Sequence, residues 1–122
     1  MIRIAIVDDH AIVRAGLRQF LSEQVDLRVT GEAASGREAL DLVRSKKLSG
    51  VHAILTDVRM PRMTGLEFLR ALSVISCRIP VILMTAFGNV EDAVWAMKLG
   101  AVDFLSKPFK KKQLLDAVSV AL

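Results

Sequence analysis

Five side chains with related chemistry each come just after a short apolar run. Asp8 and Asp9 follow Ile2 to Val7, Asp57 follows Ala53-Ile54-Leu55, Thr85 closes Val81-Ile82-Leu83-Met84, and Lys107 comes after Val102 to Ser106. Runs this short suit strands buried on both faces of a parallel sheet. Parallel strands all end on one edge, so three carboxylates, a hydroxyl and an amine are expected to converge there. Each alone has a plainer explanation: Asp9 as a helix cap, Asp57 as a turn former, Lys107 as a solvated surface cation. Five coinciding at strand ends is far less expected from chance. Three carboxylates packed together repel and call for a counterion. Carboxylate oxygens, a backbone carbonyl and waters suit a hard divalent cation, above all Mg2+, which readily shares a site with phosphate oxygens. A lysine and a hydroxyl opposite the metal complete a cradle for a phosphoryl group. A carboxylate in that cradle can attack phosphorus to form an acyl phosphate, with the metal and Lys107 stabilising the transferring oxygens. Asp57, Thr85 and Lys107 are therefore the candidate catalytic groups, and Asp8, Asp9 and Asp57 the candidate metal ligands.

The elements that would position them alternate regularly. After the strand Ile2 to Val7, the segment Ala11 to Glu23 carries Val13, Gly16, Leu17, Phe20 and Leu21 on one helical face, with Arg14, Arg18 and Gln19 on the other. Leu27 to Ala33 reads as a weaker strand interrupted by Gly31. Ser35-Gly36 is a turn before a helix carried by Ala39, Leu40 and Val43. Met60-Pro61 stops the third strand, because proline restricts the residue before it and cannot donate to a ladder. Thr64-Gly65 restarts a helix with Leu66, Leu69 and Leu72 inward. Asn89 is a fitting N-cap for Val90 to Leu99, with Glu91 and Asp92 in its first turn and Gly100 at its stop. In that helix Val90, Ala93, Val94 and Met97 form the expected inward stripe, with Trp95 and Leu99 opposite. A last helix, Phe109 to Leu122, has Leu114, Ala117, Val118 and Ala121 on one stripe. Five strands and five helices with short connections predict an α/β, doubly wound parallel sheet with helices on both faces.

At 122 residues the chain has the size of one domain, and it is 52% hydrophobic and 25% charged. Its net charge of +4 is too diffuse to argue for nucleic acid. A single cysteine, Cys77, allows no internal disulfide and fits a reducing compartment. No apolar run approaches a membrane span and no leader pattern opens the chain, so the expectation is a cytoplasmic protein without membrane contact. Every element is used by one domain spanning 1–122, so no output domain and no DNA-binding segment is expected within it.

The ordered set Asp8-Asp9, Asp57 with Met60-Pro61 and Gly65, Thr85-Ala86, Gly100-Ala101, Phe104 and Lys107-Pro108 resembles the receiver domain of bacterial two-component response regulators along essentially the whole chain. The opening Val-Asp-Asp-His with Val13-Arg14-Ala15-Gly16-Leu17 is similar to receivers of the NarL/FixJ subgroup. The resemblance implies a flavodoxin-like sheet of order 2-1-3-4-5. It implies Asp57 as phospho-acceptor, with Mg2+ held directly by Asp9 and Asp57, through water by Asp8, and by the main-chain carbonyl of Arg59. It further implies that Lys107 contacts the phosphoryl group, that Lys107-Pro108 is cis, and that Thr85 and Phe104 switch together. Ala86 would leave the phosphoryl group open, and Arg59 and Phe87 would stand where hydrolysis of the acyl phosphate is tuned. The implied partners are a sensor histidine kinase, an output domain or effector protein and, on phosphorylation, a second copy of the chain.

Trp95 is expected on the signalling surface of the fourth helix, fifth strand and fifth helix. Lys110-Lys111-Lys112 reads as a solvated face, the alternative being a contact with an acidic patch on a partner or a second copy, and His10 as a residue of the site's rim rather than a ligand. Two other classes share parts of this pattern. A phosphatase of the haloacid-dehalogenase type places a second acid two residues after its nucleophile, but here those positions hold Arg59 and His10. A flavodoxin-like cofactor binder needs a Ser, Thr or Gly run in its first loop, which is missing. Turnover of an external substrate is therefore not expected.

Overall fold

The computed structural model describes residues 2–60, 62–75, 77–85, 90–107 and 109–121. The expectations placed on Pro61, Ala86, Phe87, Asn89 and Pro108 lie outside the described residues, the cis peptide among them. The chain runs β1 (Ile2–Val7), α1 (Ala11–Ser22), β2 (Leu27–Ala33), α2 (Gly36–Arg44), β3 (Ala53–Asp57), α3 (Gly65–Val74), β4 (Val81–Thr85), α4 (Val90–Lys98), β5 (Asp103–Ser106) and α5 (Lys111–Ala121). All strand pairs are parallel and the order is β2-β1-β3-β4-β5, as the resemblance implies.

Alternation along the strands divides the core in two. Ala5, Val7, Ile54, Val81 and Leu83 face one layer, packed with Ala39, Leu40, Phe68, Leu69, Leu72 and Ala96 from α2, α3 and α4. Ile4, Ile6, Leu55, Ile82 and Met84 face the other, against Leu21, Leu114, Ala117 and Val118 from α1 and α5. Strands covered on both sides read as unbroken apolar runs, which is why β1, β3 and β4 are so legible. The weaker β2 carries a register shift between Ile4 and Ala5 of its partner, just where Gly31 enters. A Cβ on Gly31 would come within 2.7 Å of Leu48 Cδ2, so a larger residue here would have to displace that leucine's methyl group.

Several helix faces differ from the sequence expectation. Gly16 is exposed, with nothing within 4 Å of an added Cβ, so α1 docks through Leu17, Phe20 and Leu21 without it. Arg14 is not on the solvent face but tucked against β2 and the turn after β1. In α3 the fully buried Phe68 joins Leu69 and Leu72, while Leu66 is only partly covered. α4 is rotated from the expected stripe: Val94 and Met97 are exposed, while Ala96 is buried and Leu99 packs on the core. Small Ala96 lets the helix approach the sheet closely, and the larger side chains then fall outside the contact. Trp95 is outward as expected, 57% exposed, with the Lys98 ammonium 5.5 Å from its ring centre. β5 begins at Asp103 rather than Val102, and α5 at Lys111 rather than Phe109.

Candidate functional site

At the carboxyl edge of the sheet, the ends of β1, β3 and β5 bring Asp8, Asp9, Asp57 and Lys107 together, and β4 ends there at the buried Thr85. Asp8 is the first residue beyond β1, its N–H donating to the Ala33 carbonyl of β2 at 3.1 Å, and it is fully buried. Asp57 ends β3 and is 7% exposed. The Lys107 ammonium lies 3.5 Å from Asp8 Oδ2 and 3.9 Å from Asp57 Oδ2, so one cation faces both acids. Lys107 is itself held by its N–H donating to the Thr85 carbonyl at 2.6 Å, which ties the end of β5 to the buried end of β4.

Local structure aims these groups. The Arg59 N–H donates to Asp57 Oδ1 at 3.3 Å, and the Val58 N–H to the Met84 carbonyl at 2.9 Å. The chain then returns so that the Gly65 N–H donates to the Val58 carbonyl at 2.7 Å. A Cβ at Gly65 would overlap the Asp57 carbonyl and lie 2.9 Å from Val58 Cα, so only glycine allows α3 to begin under the acid. Thr64 and Glu67 close a capping box over the same helix start. On the β1 side, the His10 N–H donates to Asp8 Oδ1 at 2.9 Å. The His10 imidazole Nδ1 stands 3.3 Å from Asp8 Oδ1 and 3.2 Å from Asp9 Oδ1. The rim residue thus touches both members of the acid pair.

The electrostatics are those of a crowded acid site. Burial pushes the Asp57 carboxyl above its ordinary value; Lys107 opposes this, Asp8 adds to it, and the Arg59 and Val58 N–H groups oppose it. Donor atoms of Asp8, Asp9, His10 and Asp57 all lie within 4.8 Å of one another. Asp8 Oδ2 and Asp9 Oδ1 are buried without a hydrogen-bond partner, although Lys107 and His10 come near them. Buried carboxylate oxygens facing one centre, short of donors, fit a hard divalent cation.

The sequence reading missed one contributor here. Arg14 donates through Nη1 to the Asp8 carbonyl at 2.6 Å. Its signal was a cation in the first turn of a helix, where the dipole opposes it and a nearby acceptor is needed. His10, by contrast, stands at the rim where its place directly after two acids put it.

Residues 4–119 match the family model for the response regulator receiver domain. The chain belongs to that family. Among its relatives, the transcriptional regulatory protein FixJ of Azorhizobium caulinodans is 42% identical over 123 residues, covering 98% of this chain and 54% of that protein. The nitrate/nitrite response regulator NarL of Escherichia coli K12 is 35% identical over 118 residues, covering 97% of this chain and 53% of NarL. The crystal structure of FixJ-N superposes with a TM-score of 0.85 at 36% identity, covering 99% of this chain and 93% of that one. NarL and FixJ are thus both relatives, as the opening motif implied. The chain spans about half the length of the curated relatives it matches, or less. Receiver domains are the signalling switches of two-component systems, bind Mg2+ in an acidic pocket, and interact with kinases and output domains. The acidic cluster of this receiver is Asp8, Asp9 and Asp57. No helix among the described residues is long and apolar enough to cross a membrane.

Proposed function

We propose that this receiver is a phosphorylation switch whose acceptor is Asp57. An Asp57 carboxylate oxygen attacks the phosphorus of a sensor kinase's phosphohistidine. The new O–P bond forms as the P–N bond breaks, and the departing imidazole takes up a proton. Asp9 and Asp57 would hold Mg2+ directly, Asp8 through water, and the Arg59 carbonyl would complete the protein's share. Bound there, the cation would neutralise charge on the acids and on the transferring phosphoryl oxygens. Lys107 supplies the second positive charge on that group, and its reach toward both Asp8 and Asp57 supports the role. Thr85, buried at the end of β4, takes the hydroxyl side of the cradle.

Thr85 and Phe104 carry the change outward to the surface of α4, β5 and α5, where Val94, Trp95 and Met97 are exposed. That surface regulates an output domain or effector, transcriptional by analogy with FixJ and NarL, and a second copy of the chain can pair on it. In this reading the 122 residues form one receiver unit that works in the cytoplasm, contacts neither DNA nor membrane itself, and turns over no external substrate.

The observation that carries the proposal is the meeting of Asp8, Asp9, Asp57 and Lys107 at one rim. Incubation with Mg2+ and acetyl phosphate, followed by intact mass, tests it. A gain of about 80 Da, the mass of one phosphoryl group, is expected in the wild type and absent from Asp57→Asn. No gain, or a gain that survives Asp57→Asn, would overturn it.

A further inference from the structure

The segment His10 to Leu17 carries an arginine that the phosphorylation reading leaves without a task. α1 begins at Ala11 with no side-chain cap from His10 and no acid in its first turn. Arg14 nevertheless sits in that turn, where the helix dipole opposes a cation. Its guanidinium donates through Nη1 to the Asp8 main-chain carbonyl at 2.6 Å, and its Nε stands 3.5 Å from Glu32 Oε1 on β2. Arg18, one turn later, holds the other oxygen of Glu32. Glu32 is paired in register with Ile6 of β1, so it is a fixed anchor beside the strand that delivers the acids. The planar guanidinium, with donors in a rigid fork, thus spans from a strand to the peptide linking Asp8 to Asp9.

We infer that Arg14 is a positioning residue for the cation site: by fixing the Asp8–Asp9 peptide plane it sets the aim of both carboxylates. The inference rests on the proposed function above for what the carboxylates hold. Asp8 Oδ1 is tied to the His10 N–H, while Asp8 Oδ2 and Asp9 Oδ1 are buried without hydrogen-bond partners. A rotation of that one peptide would redirect both of the latter. No side-chain partner marks this task, because the acceptor is a main-chain oxygen.

Charge and position predict opposite signs. If Arg14 acted only as a nearby cation, its removal would tighten divalent-ion binding by three carboxylates. If it acts by position, removal loosens binding, and lysine, which keeps the charge without the fork, does not restore it. The experiment is a Mg2+ titration of the whole chain, followed by the backbone amide resonances of His10 and Arg59, for wild type, Arg14→Gln, Arg14→Lys and Glu32→Gln. Dissociation constants are expected to rise roughly tenfold in both Arg14 variants, the usual scale for residues that orient metal ligands, and less in Glu32→Gln. In metal-free protein the His10 amide is expected to exchange faster in both Arg14 variants. Unchanged or tighter binding in Arg14→Gln, or wild-type affinity in Arg14→Lys, would overturn the inference. Should Arg14→Gln not fold, Glu32→Gln carries the test, and unchanged binding there overturns it. A wild type that does not titrate would count against the Mg2+ reading instead, and the metal-free exchange of His10 would still decide for or against Arg14.

Discussion

Two helices on the same face of the sheet are held in very different ways. α3 buries Gly65, Phe68, Leu69 and Leu72, is closed by a reciprocal cap from Thr64 and Glu67, and starts directly beneath Asp57. α4 buries only Ala96 among its described side chains and turns Val94, Trp95 and Met97 to solvent. One helix is anchored by large side chains in a layer they fill; the other, among its described side chains, buries only a methyl group. The lesson is a division of labour along one edge. The β1, β3 and α3 side fixes the acids, whose chemistry needs constant geometry. The α4 side has little apolar area to lose on moving, which suits a surface that must change.

The largest expected effect tests the anchored side. Phe68 is fully buried between α3 and the sheet, so Phe68→Ala should cost about 3–5 kcal/mol in stability, a large part of what a domain this size has. Urea denaturation with the slope held constant would measure it. A loss below about 2 kcal/mol would mean the layer refills easily and α3 is no firmer than α4.

A smaller effect concerns the acid that α3 supports. Because burial raises the Asp57 carboxyl above its ordinary 3.8, the folded state binds this proton more tightly than the unfolded state. The contribution therefore favours folding at low pH and is lost as pH rises through the window from 3.8 to the raised value. Above that window the charged Asp57 works against the fold. Asp57→Asn is expected to raise the melting temperature of metal-free protein near pH 7, with the advantage vanishing near pH 3. Mg2+ at ten times its dissociation constant should add about 1.4 kcal/mol to the wild type and little to the variant, narrowing or reversing the gap. Scanning calorimetry at several pH values checks both. A metal-free gap independent of pH would show that the charge of Asp57 is not its cause.

The same contrast explains what the sequence made legible. Strands covered on both faces announce themselves as apolar runs, and the expected bounds of β1 and β4 coincide with those observed; those of the half-covered β2 do as well. Parallel strands end on one edge, so Asp8, Asp57 and Lys107 could be brought together from their positions alone. α3 was nearly legible because its inward residues are large and apolar, although Phe68 was passed over for Leu66. α4 was not, because its apolar residues fit two stripes and the contact is made by the smallest of them. Arg14 was misplaced for a different reason: its partners are the main-chain carbonyl of Asp8 and a glutamate on β2, and only its place in a first helical turn hinted that it needed them.

The smallest effect expected on stability is also the sharpest test of the loose side. Trp95 is the only tryptophan, it is largely exposed, and its ring is approached by Lys98 from the next turn of the same helix. Truncation there removes little buried area, so Trp95→Ala should change stability by no more than about 0.5 kcal/mol. Wild-type emission should be that of a solvated indole, and amides of α4 should exchange faster than those of α3. On treatment with Mg2+ and acetyl phosphate the emission should shift, and Asp57→Asn should abolish that shift. A cost above about 2 kcal/mol for Trp95→Ala would make Trp95 an anchor after all. Emission that ignores phosphorylation would leave α4 loosely held yet uninvolved, and the signalling face would have to be sought elsewhere on the domain.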